Sequence, residues 1–226
     1  MVNRLRSSVG NTQIMKYVKF KPWVGCNYAT GGVFAKKILV LGESHYSEEQ
    51  NRNPKPNFTI DVIDEYVKDY FGAGYQQTFY CFTKAVMGKE ELSDEERAAF
   101  WHSVVFYNYV QQYQSGPRQP LNLQESDKTE NESAFKEVLE TCMPDCIIVW
   151  GKRLYAMMPY WNGRGDTLDV EVFDSDGSKT KIGSASVWIY PIKGKEIPAL
   201  CVSHPSTPVG KMRGYWHLFY KRFLNL

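Results

Sequence analysis

The chain is poor in the features that would fix its class at a glance. Across its 226 residues no apolar run approaches the ~20 residues needed to cross a bilayer, so no membrane partner is expected. Charge of one sign is missing as well. Lys and Arg total 27 against 25 for Asp and Glu, a net charge of +2. That balance excludes a protein that grips nucleic acid through a globally basic surface. Any such contact must rest on a local patch, and the densest one joins Lys211, Arg213, Lys221 and Arg222. A solvated helix face accounts for the same charges.

Cysteine is sparse and irregular. The five residues Cys26, Cys81, Cys142, Cys146 and Cys201 are odd in number and unevenly spaced, which argues against a secreted disulfide scaffold. Cys142 and Cys146 straddle Pro144 between a helix and a strand, a poor half of a zinc ribbon. Reduced, partly buried thiols are expected, with no metal and no cofactor. The first apolar residues are interrupted by Asn, Arg, Gln and Lys, so no secretory leader is read and a cytoplasmic location is expected. Repeats, low-complexity tracts and a convincing linker are also missing. One domain over residues 1–226 is therefore expected, as a monomer, with 1–36 an irregular N-terminal segment anchored by Trp23 and Tyr28.

What is present is an ordinary apolar content of 43% with a high aromatic share of 15%, led by 15 tyrosines. Ile38 to Leu41, closed by Gly42, reads as a strand buried on both faces. Cys146 to Trp150 and Ala199 to Ser203 read alike, and Val104 to Val110 is β-branched and aromatic. Thr59 looks like the cap of a helix carrying Ile60, Ile63, Val67 and Tyr70, and Tyr75 to Met87 reads as a second. Ser93-Asp-Glu-Glu96 is a capping box launching a third. Glu132 to Cys142, a short segment to Met158, and residues 211–224 read as further helices, and 47–57 and 114–132 as polar loops. Leu168–Phe173 and Lys179–Ile182 flank a hairpin turn, and Ala185 to Ile192 is another strand. Strands alternating with helices predict an α/β three-layer sandwich, a central mostly parallel sheet flanked by helices.

Two of these strands end in chemically capable residues. Glu43 directly follows a strand-ending glycine, where a carboxylate can orient water or steady positive charge. An exposed turn glutamate fits the position equally. His204 is followed by Pro205 and Ser206, so its ring is held in a fixed turn and can hydrogen-bond a forming anion, while the Ser206 hydroxyl can take a phosphate oxygen. A capped turn with an incidental histidine is the plainer alternative. Asn108, in an otherwise apolar strand, offers one acceptor and two donors that could read the edge of a base, or simply satisfy nearby backbone. In an open α/β sheet all three would meet beyond the carboxyl ends of the strands.

Gly42-Glu43-Ser44-His45-Tyr46 resembles the first motif of the uracil-DNA glycosylase superfamily, a strand followed by G-Q-D-P-Y-H or, in another branch, G-E-A-P-G. His204-Pro-Ser206 matches the second motif, H-P-S, and Arg213-Gly-Tyr-Trp216 is similar to the R-G-F-F that follows it. Val149-Trp150-Gly151 resembles the strand-end W-G before the second motif. The likeness runs in islands over residues 36–224. It implies a DNA partner, single- or double-stranded, with a flipped uracil-like base held at the carboxyl edge of the sheet. Glu43 and His204 would then be catalytic, the first activating water and the second hydrogen-bonding the departing base. Asn108 would read the pyrimidine edge, with Tyr46, Ser44 and Phe58 around the base. Ser206, Lys211 and Arg213 would hold phosphate.

The chain also departs from the family pattern. Ser44 and His45 stand where one branch has Asp and Pro, and Pro208, Val209 and Met212 occupy the loop expected to carry an intercalating Leu. The cysteines do not match the four-iron cluster ligands of the G-E-A-P-G branch. Two alternatives stay open: a binder of nucleic acid or nucleobase without catalysis, and a hydrolase using Ser44 as nucleophile and His204 as base. For the latter, Tyr46 replaces the closing Gly of a G-x-S-x-G elbow.

Overall fold

A computed structural model describes residues 15–47, 53–72, 74–117, 119–173 and 178–226. Its centre is built around three short, fully buried segments. β1 (Trp23–Val24) is a two-residue edge piece, so the N-terminal segment is not wholly irregular. β2 (Ile38–Gly42), β3 (Val104–Asn108) and β4 (Cys146–Trp150) are buried at every position. Helices α1 (Phe58–Lys68), α2 (Gly74–Met87) and α3 (Asp94–Trp101) connect β2 to β3. After β3 come α4 (Glu125–Cys142), then β4 and α5 (Lys152–Met157). The chain closes with β5 (Arg164–Phe173), β6 (Lys179–Ile192), β7 (Lys195–Val202) and α6 (Arg213–Leu224).

The seven strands lie in the order β1-β3-β2-β4-β7-β6-β5. Pairings β3–β2, β2–β4 and β4–β7 are parallel, whereas β1–β3, β7–β6 and β6–β5 are antiparallel. The sheet is therefore mixed, and the expectation of a mostly parallel sheet is corrected. The reason lies in the last third of the chain. Residues 179–192 form one long strand rather than two, and a two-residue turn at Lys193-Gly194 returns it directly into β7. Both turn residues have positive φ, 47° and 77°, the geometry that matches the twist of a tight hairpin. Hairpins make antiparallel neighbours, and no crossover helix intervenes.

Side chains alternate across the sheet into two cores. Ile38, Val40, Phe106, Ile148 and Trp150 pack on one face with α1, α2, α3 and α6. Leu39, Leu41, Tyr107, Ile147 and Val149 pack on the other with Phe135, Val138 and Leu139 of α4 and Leu154 of α5. Burial on both faces explains why these strands read as continuous apolar runs.

Helix ends show what local sequence could and could not specify. Ser93 caps α3 as expected, accepting from the Glu96 N–H while the Glu96 carboxylate accepts from the Ser93 N–H. α4 begins at Glu125, seven residues before the expected start, because Gln124 and Asp127 form a capping box and its first turns are polar and mostly exposed. α1 starts at Phe58, so Thr59 is not its cap but a fully buried residue of the first turn. The far end of α1 is held by Arg97 of α3, which donates to the Tyr66 and Val67 carbonyls at 3.1 and 3.3 Å. Arg97→Met would strip both carbonyls of their donor inside the core. It is expected to cost about 1–3 kcal/mol in urea unfolding; an unchanged midpoint would show the contacts to be idle.

Candidate functional site

The parallel register lines up the carboxyl ends of four strands. Gly42 pairs with Asn108, and Trp150 with Val202, so β2, β3, β4 and β7 finish along one edge. The residues following those ends are Glu43, Tyr109, Gly151 and Ser203.

Glu43 is not an exposed turn glutamate. Its side chain is 10% exposed and is gripped by Arg153 of α5, whose Nε donates to Oε1 at 2.7 Å and whose other arm reaches Oε2. Arg153 is itself 45% exposed and donates from Nη1 to the Gln119 carbonyl at 2.8 Å. A two-pronged guanidinium–carboxylate contact fixes the plane of the carboxylate as well as its charge.

His204 sits at the neighbouring strand end, its ring edge-on to Trp150 at 6.0 Å. The Ser206 N–H donates to Nδ1 at 3.3 Å, and the Ser206 hydroxyl lies 2.8 Å from the same nitrogen. A nitrogen that accepts from the backbone carries no proton in the neutral ring. The proton therefore resides on Nε2, the side away from the turn. Burial pushes the His204 pKa below its ordinary value; Glu43 opposes this and Arg153 adds to it. Glu43 and Arg153 thus lie near enough to His204 for both charges to act on its ring. Gly151, at φ 105°, passes so close that an added Cβ would lie 3.5 Å from the His204 Cβ.

A second group lies beside the first. Asn108 is 6% exposed, and its Nδ2 is 3.1 and 3.3 Å from the two ring nitrogens of His45. The His45 ring is buried and packs edge-on to Phe20 and Phe58, each at 4.8 Å. Tyr113 backs both phenyl rings at 5.0 and 5.7 Å. His45 Nε2 lies 2.8 Å from the Thr59 hydroxyl. Gly42 allows this arrangement, since a Cβ there would overlap the Asn108 Oδ1.

The remaining candidate residues divide by place. Tyr46 is half-exposed and bridges to Gln114, and it interacts electrostatically with both Glu43 and Arg153. The Trp150 indole N–H is buried with no hydrogen-bond partner among the described residues, and the buried Ser44 hydroxyl has the Tyr46 phenol as its neighbour. A group such as the Trp150 indole N–H costs about 1–3 kcal/mol when unpaired, which favours a polar partner at this strand end. Ser206 spends its hydroxyl on His204. Arg213 is drawn to Glu90, beyond the end of α2, while Lys211 is exposed. No hydrogen bond joins Ser44 to His204.

Sequence reasoning missed Arg153, His45, Thr59, Phe20 and Tyr113. Only Arg153 left a trace, as a cation one residue into a helix that follows a strand-end Gly.

All five cysteines are free, and Cys142 and Cys146 are pushed up to about 12 by burial. Among the described residues no His, Cys, Asp and Glu side chains gather into a metal-binding group, and no helix is long and apolar enough to cross a membrane.

Burial also pushes the His45 pKa from 6.5 to about 3. An unfolded chain binds that proton near pH 6.5 and the folded one does not, so this contribution is fully present above pH 6.5 and declines as pH falls towards 3. Wild type is expected to lose more stability between pH 7 and 4 than His45→Gln, read as urea midpoints. Parallel pH profiles would contradict the buried neutral ring.

No known family model matches this chain, and neither does any curated protein.

Proposed function

We propose that this protein hydrolyses the N-glycosidic bond of a flipped, uracil-like base in DNA, with Glu43 and His204 as its catalytic pair. The observation that carries the reading is their convergence: a clamped carboxylate and a neutral imidazole with its proton on Nε2, electrostatically coupled at the carboxyl edge of one sheet. The resemblance of the strand-end motifs, and the helices packed on both sheet faces, support a uracil-DNA glycosylase-like three-layer arrangement.

In this reading water attacks the sugar C1′ as the bond to the base nitrogen breaks. The electron pair of that bond leaves with the base, and the water proton passes to Glu43. Arg153 uses one lone pair on each carboxylate oxygen, leaving others to accept from water. The negative carboxylate also steadies the positive charge building on the sugar. His204 donates from Nε2 to the base oxygen as its charge grows, and Ser206 keeps that tautomer in place. Lys211 and Arg213 supply cations for phosphates near the H-P-S turn; Arg213 is partly buried, but its partner Glu90 is well exposed and can be exchanged for a phosphate.

The test is strand breakage. Oligonucleotides carrying uracil, hypoxanthine or xanthine, single- and double-stranded, are incubated with the protein and then treated with alkali. Cleavage at the modified base is the expected result, and intact strands on every substrate would contradict it.

One observation favours a second reading, a protein that binds nucleic acid or nucleobase without cutting. The Asn108 amide, the candidate reader of the base, is covered by His45. Retardation of an oligonucleotide that weakens steeply with salt, without base release, is the outcome that reading expects. The Ser44 hydrolase has no comparable support, because His204 Nδ1 is already engaged by Ser206.

A further inference from the structure

His45 occupies an odd place for a histidine. It follows Glu43 and Ser44 on the loop leaving β2, yet its ring turns inward and is only 6% exposed. The ring lies against Phe20 and Phe58, which Tyr113 backs. The Thr59 hydroxyl meets its Nε2 at 2.8 Å. These surroundings would equally suit any flat heterocycle that presents one polar ring atom to a hydroxyl.

The Asn108 contact points the same way. Its Nδ2 is nearly equidistant from both ring nitrogens, at 3.1 and 3.3 Å. An atom so placed cannot lie in the imidazole plane without overlapping the carbon between the nitrogens, so the amide sits over the ring face. Hydrogen bonds to ring nitrogens are strong only near the ring plane. Asn108 is therefore covered by His45 without being well paired by it. A buried amide with a weak partner carries a cost that an in-plane donor–acceptor edge would remove. Leucine or phenylalanine would fill a purely structural gap without burying two more nitrogens.

We infer that the His45 side chain is a displaceable occupant of a heterocycle-binding seat formed by Phe20, Phe58, Tyr113, Thr59 and Asn108, and that a nucleobase enters by expelling it. This deepens the proposed function and rests on the reading of Asn108 as the residue that meets the base. With His45 in place the seat is closed. With it rotated out, a ring that enters across the plane the imidazole occupies turns its edge to Asn108 and Thr59 and lays its face against the phenyl rings, which stand edge-on to the imidazole. Occupancy by the protein's own side chain lowers affinity by the fraction of time the seat is open, so removing the imidazole should raise it.

Free uracil is the probe, because it has no glycosidic bond and its binding is independent of catalysis. His45→Ala, checked for native circular dichroism, is expected to bind uracil at least about tenfold more tightly than wild type by calorimetry. Imidazole should raise the melting temperature of the variant and leave wild type unchanged. A folded His45→Ala that takes imidazole but not uracil, or takes neither, overturns the inference.

Should that variant fail to fold, wild type decides the matter. The His45 ring nitrogens are followed by NMR across a pH titration with and without saturating deoxyuridine. Expulsion moves the His45 pKa from about 3 up towards the ordinary imidazole value of 6.5. A pKa that stays low under saturating ligand overturns the inference. The two claims fail separately. Uracil binding in His45→Ala without any DNA cleavage removes the glycosylase reading alone, and cleavage of DNA by a protein whose His45 never moves removes this one alone.

Discussion

His204→Ala is expected to slow base release by about 10²–10³-fold while leaving affinity for the oligonucleotide nearly unchanged. The split follows from where the ring acts. Its Nδ1 is held by Ser206, so the Nε2 proton faces outward, towards charge that exists only as the glycosidic bond breaks. An interaction made in the transition state alone lowers turnover and not binding. Burial keeps the ring neutral, and a neutral donor can stabilise an anion without first surrendering a proton. Ser206→Ala should fall between wild type and His204→Ala, because the backbone N–H still orients Nδ1 at 3.3 Å when the hydroxyl is gone. A weakened affinity with unchanged single-turnover rate would assign His204 to binding instead.

Gly210→Ala should damage the same site from behind. A Cβ on Gly210 would overlap the His204 carbonyl and crowd the Pro205 Cα, both backbone atoms that cannot swing aside. The same carbonyl accepts from the Thr207 N–H at 2.9 Å and its hydroxyl at 2.8 Å, so the turn has little slack. Overpacking of this kind costs about 1–3 kcal/mol, and a chain of this size loses about 2–4 °C of melting temperature per kcal/mol. Base release should drop towards the His204→Ala level, since the turn that aims the ring has moved. Gly214→Ala is the control: nothing lies within 4 Å of its added Cβ, and its place in α6 favours alanine. Equal behaviour of the two variants would show that the H-P-S turn tolerates displacement.

The strands that frame the site were readable because each is buried on both faces, which leaves an unbroken apolar run in the sequence. The Ser93 capping box was readable because it is local. The β5–β6 hairpin is legible because its turn is local, but the antiparallel pairing of β6 with β7, which joins that hairpin to the central sheet, is not. A β6 whose alternation is broken by exposed residues at its start looks like two short strands. The polar first turns of α4 carry no apolar stripe and read as loop.

At the site, Glu43 and His204 stood out because each follows a buried strand directly. Arg153 did not, because a surface cation looks the same in sequence whether it faces water or a carboxylate 110 positions away. His45 shows in the sequence only as a departure from the first motif, since nothing in its neighbours says that its ring turns inward. Phe20 lies far upstream in a segment with little regular structure, and only tertiary packing brings it to His45.

The most direct test of the account is release of free base under single-turnover conditions. Wild type and Glu43→Gln are incubated in excess over a uracil-containing oligonucleotide, and free uracil is quantified by chromatography. Wild type should release one uracil per strand and leave an abasic site, while Glu43→Gln, unable to take the proton from water, should release it at a small fraction of that rate. No free uracil from folded wild-type protein, or equal release by both, would contradict a catalytic site built on Glu43 and His204.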